Sequence, residues 1–200
     1  MDEGYIKFSF DLIEKELPKS LDWENLESVR KSLFKKGLIG NYPDGIGFGN
    51  ISKRVRNSEF LITGSATGGI KDLSLSDYCL VNEYDLAQNY VKGTGKISPS
   101  SESMSHGAIY SATKAIHAVI HIHSKKLFDQ MLTDQKLPRT HKGIRYGTPE
   151  MASAIADIVN LINKNSGYFV TAGHDEGIFA FGENLEIASL QIHKISKKYS

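Results

Sequence analysis

The stretch Ala118-Val119-Ile120-His121-Ile122-His123-Ser124 constrains this chain more than any other. Its β-branched residues favour an extended strand. Successive side chains of a strand point to opposite faces, so His121 and His123 share one face and Ile120 and Ile122 the other. The apolar face belongs on a core, and the imidazole face then looks into a site. Two imidazoles about 7 Å apart at their Cα atoms can close on one metal ion. The same pair also suits ordinary packed histidines. The spacing does not separate the two readings, and further ligands must come from elsewhere.

The rest of the chain sets bounds on that site. Two hundred residues fit one domain of ordinary size. A formal charge of +1 gives no electrostatic reason to expect nucleic acid or a membrane surface as partner. The single cysteine, Cys79, excludes an intrachain disulfide and fits a reducing compartment. It sits in the apolar run Tyr78-Cys79-Leu80-Val81 and is expected in the core. No apolar run approaches the ~18 residues that span a bilayer. Asp2 and Glu3 open the chain with no apolar signal core after them, so a cytoplasmic location is expected.

Pattern and punctuation suggest the elements. Tyr5 to Phe10 alternate weakly, which makes residues 1–20 an N-terminal arm or extra strand, with residues 21–200 as the main domain. Trp23, Leu26, Val29, Leu33 and Phe34 recur at helical spacing between an Asp22 cap and a Gly37 stop. A glycine-punctuated loop leads into Asn50–Val55, which pairs with Phe60–Thr63 about a turn near Asn57-Ser58. Further strands are expected over Leu75–Val81 and Gln88–Lys92. A helix should open at Ser98-Pro99-Ser100-Ser101-Glu102 and run to about Thr113. After the histidine strand, a short helix covers Ser124–Leu132 and a longer one opens at Thr148-Pro149-Glu150. Strands over Tyr168–Thr171 and Gly177–Phe181 flank the bend Gly173-His174-Asp175-Glu176, and a last helix runs from Leu185 to Tyr199. This order points to α/β layers on a mixed or antiparallel sheet.

Several residues are candidates for chemistry. Glu102 follows two serines at a helix start, where a carboxylate can complement the helix dipole or act as general acid or base beside a metal. Ser100 and Ser101 offer hydroxyls and unpaired backbone N–H groups, which suit an anion, although capping alone would need only one serine. The loop Gly64-Ser65-Ala66-Thr67-Gly68-Gly69 can add N–H donors in a nest. His174 lies in a glycine-rich bend that can aim a side chain. His106 is four residues after Glu102 and shares its helix face. His117, His141 and His193 have no such surroundings and are read as ordinary surface or packing residues.

Together these motifs resemble the class II aldolase/adducin superfamily. The likeness is carried by Gly49-Asn50-Ile51-Ser52-x-Arg54, Leu61-Ile62-Thr63-Gly64-Ser65, Pro99-Ser100-Ser101-Glu102 and His121-x-His123-Ser124, in that order, and extends over roughly residues 22–198. The resemblance implies a three-layer α/β/α sandwich with a largely antiparallel central sheet, assembled as a homotetramer. It implies a metal-dependent aldolase-type lyase acting on a phosphorylated sugar or related hydroxy-carbonyl compound through an enediolate. His121, His123 and His174 would hold Zn2+ or another divalent metal, and Glu102 would be the catalytic base. Asn50, Ser65, Thr67, Gly68, Ser100 and Ser101 would receive the substrate phosphate. A related epimerase, dehydratase or decarboxylase, or a catalytically silent adducin-like assembly module, is the alternative.

The sequence departs from the family pattern in two places. The family places histidine directly before the glycine of the late strand, whereas this chain has Gly173-His174-Asp175-Glu176-Gly177. Either a two-residue insertion keeps His174 as ligand or Glu176 replaces it; His174 is the expectation. The stretch between His123 and His174 is also short. In the aldolases it supplies a proton-donating tyrosine, and the surroundings of Tyr146 do not match that motif.

Overall fold

The structure is a computed structural model that describes residues 4–200. Asp2 and Glu3, which the expected N-terminal arm includes, lie outside the described residues. The elements run β1 (Ser9–Glu14), α1 (Trp23–Lys35), β2 (Gly40–Asn41), β3 (Gly47–Phe48), β4 (Asn50–Arg56), β5 (Glu59–Thr63), β6 (Tyr78–Asp85), β7 (Tyr90–Gly95), α2 (Ser103–Ala112), β8 (Ala118–His123), α3 (Lys125–Thr133), α4 (Pro149–Ile162), β9 (Gly167–Val170), β10 (Gly177–Gly182) and α5 (Leu185–Tyr199). Eight strands form one sheet in the order β1-β7-β6-β5-β4-β8-β10-β9. Every pairing in it is antiparallel except β1 with β7.

The alternation of β8 separates two cores. Ile120 and Ile122 pack on one face with Leu26 and Leu33 of α1, Phe128 and Met131 of α3, and Ile192 and Ile195 of α5. Val119 packs on the other with Ala108 and Ile109 of α2, Ile155 and Val159 of α4, and Phe179 and Phe181 of β10. The molecule is therefore a three-layer α/β/α sandwich on a largely antiparallel sheet. β8 is fully covered, which is why its apolar residues form a continuous run rather than a half-exposed alternation.

Local chemistry explains most boundaries and a few shifts. α1 stops at Gly37, whose φ of +67° suits a residue without Cβ, and Leu38 N–H returns to the Leu33 carbonyl at 3.1 Å. Asp22 occupies the N-cap position but its side chain does not cap; it takes Lys53 and Asn25 instead. Residues 75–77 form a 3₁₀ turn rather than the start of a strand, because Ser74 and Asp77 make a reciprocal capping box. The alternation at residues 5–10 lies mostly before β1, which begins at Ser9 where parallel pairing to β7 becomes available. Cys79 is buried in the core, as expected, and burial pushes its thiol up to about 12. No helix of the described residues is long and apolar enough to cross a membrane.

Candidate metal and anion site

The histidine pair faces the α2/α4 side of the sheet, at the end of β8 where β4 and β10 flank it. The register sets Asn50 and Phe179 on either side of His121, and Gly177 beside His123. Phe179 stacks flat on His121, with ring centroids 4.2 Å apart and planes 4° from parallel. His174 reaches the pair from the bend between β9 and β10. That bend is held by His174 N–H to the Thr171 carbonyl (2.8 Å), Gly177 N–H to the His174 carbonyl (3.1 Å) and Thr171 N–H to the Gly177 carbonyl (3.1 Å). It accommodates the extra residues by placing Glu176 at a φ of +64°.

His121, His123 and His174 are all buried, and each offers a ligand nitrogen within 4.8 Å of the others. Burial first, and then the neighbouring imidazoles, hold His121 and His123 well below the usual histidine pKa, so both are neutral. Neither ring nitrogen of His121 has a hydrogen-bond partner among the described residues. Buried polar atoms are rarely left so, and a three-imidazole set with an open position is a zinc-type donor set. The residues present thus fit a divalent cation.

Two further groups complete this side. Glu102 is buried, and its Oε1 lies 3.6 Å from His174 Nδ1. α2 begins at Ser103, later than the sequence suggests. Glu102 sits at its N-cap without a side-chain capping bond, so the carboxylate leans toward the histidines. Tyr42 Oη lies 2.8 Å from His123 Nδ1 and donates to Glu176 Oε2 at 3.3 Å. With its proton directed to the carboxylate, the phenol oxygen accepts Nδ1–H, which leaves the Nε2 lone pair of His123 for the cluster. Glu176 therefore stands behind His123 rather than in the histidine cluster.

A cavity of about 200 Å³ adjoins His121 and Glu102. Asn50, Ser65, Thr67, Gly68, Ser100 and Ser101 all line it, so the residues named from sequence as anion ligands converge on one space. Ser100 Oγ accepts Glu102 N–H at 3.3 Å, and Thr67 Oγ1 donates to the Gly64 carbonyl at 2.8 Å. The hydroxyl proton of Thr67 is thus committed within its own turn. A Cβ on Gly68 would lie 2.4 Å from the Gly40 carbonyl oxygen, so only glycine lets this loop pack against the β2–β3 hairpin.

Some contributors were not foreseen from sequence. Tyr42 carried no motif, and Phe179 is recognisable only once its register opposite His121 is known. His106 faces the sheet from α2, where its Nε2 meets Asn50 Oδ1 (2.6 Å) and its Nδ1 meets Ser52 Oγ (2.7 Å). Tyr146 stacks on His174 at 4.7 Å and donates its hydroxyl to the Tyr5 carbonyl at 2.6 Å. Gly4 and Tyr5 line the cavity as well. His117, His141 and His193 are exposed, in keeping with the sequence reading.

Among solved structures, the chain resembles an L-fuculose 1-phosphate aldolase, with 23% identity and a TM-score of 0.65 over 92% of this chain and 87% of that one. It resembles the L-fuculose-1-phosphate aldolase of Thermus thermophilus at 22% identity and a TM-score of 0.62, covering 87% and 89% of the two chains. It also resembles YgbL of Klebsiella pneumoniae, a candidate aldolase/epimerase/decarboxylase, at 20% identity and a TM-score of 0.65, covering 87% and 84%. At these identities the likeness establishes the fold. A search of curated protein sequences gave no significant match. The sequence matches the profile of the Class II Aldolase and Adducin N-terminal domain over residues 31–197, and this chain belongs to that family.

Proposed function

We propose that this chain is a metal-dependent aldolase-type lyase acting on a small phosphorylated sugar or similar hydroxy-carbonyl compound. The observation that carries the reading is the juxtaposition of a buried three-histidine cluster and Glu102 with a cavity lined by Asn50, Ser65, Thr67, Gly68, Ser100 and Ser101. A zinc or similar divalent ion held by His121, His123 and His174 would supply a Lewis acid to a substrate carbonyl and its neighbouring hydroxyl. Glu102 is the proton-transfer group: its carboxylate takes a proton beside the carbonyl and returns it later in the cycle. Ser100 and Ser101, at the start of α2, hold the phosphoryl end with backbone N–H groups and hydroxyls, and the 64–69 loop closes over it. Anchoring that remote end orients the reacting carbons.

One observation favours keeping a related epimerase, dehydratase or decarboxylase as the second reading. The Tyr146 hydroxyl is bonded to the Tyr5 carbonyl and its ring lies against His174, which does not support Tyr146 as an aldolase-like proton donor. A silent assembly module is the weaker reading, because burying His121 with both ring nitrogens unpartnered is a cost that module would carry for no return. The family likeness supports a homotetramer, which light scattering checks, and the single cysteine supports a cytoplasmic setting as part of the same proposal.

The test is a panel of phosphorylated aldoses and ketoses offered to the zinc-loaded protein, with cleavage, epimerisation and gas release followed in parallel. Glu102→Gln should fold and bind zinc nearly as the parent does, and lose turnover by about 10²-fold or more. Turnover within a few-fold of the parent removes Glu102 from the mechanism. A His121→Ala/His123→Ala protein that retains the parent's metal content removes the metal assignment.

A further inference from the structure

A buried hydrogen-bonded chain crosses from α2 to β4 and ends at the cavity. Tyr110 Oη lies 2.8 Å from Ser52 Oγ, Ser52 Oγ lies 2.7 Å from His106 Nδ1, and His106 Nε2 lies 2.6 Å from Asn50 Oδ1. His106, Ser52 and Tyr110 are almost wholly buried. Burial pushes the His106 pKa down to about 3, so the ring is neutral and carries one N–H and one lone pair.

These facts fix every proton in the chain. The amide oxygen of Asn50 can only accept, so His106 carries its proton on Nε2. Nδ1 must then accept, which makes Ser52 the donor to it. Ser52 Oγ in turn accepts from the Tyr110 hydroxyl. With Oδ1 held on the helix side, the group that Asn50 has left for the cavity is its Nδ2 donor.

We infer that His106 is a positioning residue that orients the Asn50 amide so that its Nδ2 group donates to a phosphoryl oxygen bound in the cavity. This rests on the anion reading given under Proposed function. Three points favour it over a purely structural role. His106 does not line the cavity, and both of its nitrogens are engaged, so it has no direct part in binding. Asn50 is already fixed by its backbone pairing with His121, so the sheet does not need the side-chain contact. An unheld asparagine could present either end of its amide, and the carbonyl end would repel an anion.

The experiment is calorimetric titration of the full chain with inorganic phosphate, with thermal melting of each variant recorded alongside. His106→Asn fills the place of Nδ1 but does not reach Asn50, and should weaken phosphate by about tenfold. His106→Gln can place a donor near Nε2 and should stay within about threefold of the parent. In the Asn50→Ala background, His106→Asn should cost nothing further, because a residue acting through Asn50 has nothing left to orient. Should His106→Asn fold too poorly to titrate, Ser52→Ala removes the donor to Nδ1 and should weaken phosphate in the same direction. Parental affinity in His106→Asn or Ser52→Ala, or additive losses in the double variant, overturns the inference while leaving the anion site intact. Absence of phosphate binding by the parent, or unchanged binding in Ser100→Ala/Ser101→Ala, removes the anion site and this inference together.

Discussion

Single residues decide what the cluster can hold. His174 stands with His121 and His123, whereas Glu176 meets Tyr42 behind His123. Zinc titration should therefore separate the two: His174→Ala should lose affinity by at least about tenfold, and Glu176→Ala by much less. The reverse order would mean that a carboxylate completes the site. Tyr42→Phe removes the oxygen that accepts His123 Nδ1–H and lets the imidazole choose the wrong tautomer. Its zinc affinity should fall by about tenfold with little change in melting temperature. An unaltered zinc affinity would leave Tyr42 as packing against Phe48, whose ring is 4.7 Å away.

At the scale of elements, loops and helix ends build the site more than strands do. The start of α2 leaves Ser100 and Ser101 on the cavity and Glu102 toward the histidines, because Glu102 makes no capping bond of its own there. Arg54, in the same strand as Asn50, anchors the other end of the helix through the carbonyls of Tyr110, Thr113 and Ile116 (2.8 Å, 3.0 Å and 2.8 Å). The 64–69 loop depends on close backbone approach. Gly68→Ala would bring a methyl group into the Gly40 carbonyl and the Phe48 amide, both backbone atoms with no room to turn aside. It should destabilise the protein by about 1–3 kcal/mol in urea unfolding and weaken phosphate binding together. Full retention of both would mean that the loop can move away from the β2–β3 hairpin at no cost.

At the scale of the whole molecule, the buried neutral imidazoles make stability depend on pH. His106 is held down to about 3 by burial, against an unfolded value near 6.5. Between those values the unfolded chain binds the extra proton and the folded chain does not, so this contribution is present above about pH 6.5 and is lost as pH falls. Urea unfolding at pH 7 and pH 5 should show a larger loss for the parent than for His106→Gln, which has nothing to titrate there. Equal losses would mean that His106 is protonated in the folded state, against its burial.

Much of this was legible in the sequence because it is local. Alternation over residues 118–123 reports a strand with two faces, and the Thr148-Pro149 and Ser124 signals mark helix starts that the structure keeps, with Met151 N–H to Thr148 Oγ1 at 3.2 Å and Leu127 N–H to Ser124 Oγ at 3.4 Å. The spacing of His121 and His123, and the order of the asparagine, serine-glutamate and histidine motifs, were enough to suggest the family and the residues of interest. Partnership across the sheet was not legible, because it depends on which strands become neighbours. β4 comes to lie between β5 and β8, and only that order sets Asn50 beside His121 and under His106. The bend at 171–177 likewise left Glu176 in sequence as an alternative to the expected His174. The turn's own hydrogen bonds and the positive φ at Glu176 aim one side chain at the histidines and the other at Tyr42. Residue type and spacing determine which groups are available; the long-range pairing that buries them determines which atoms meet.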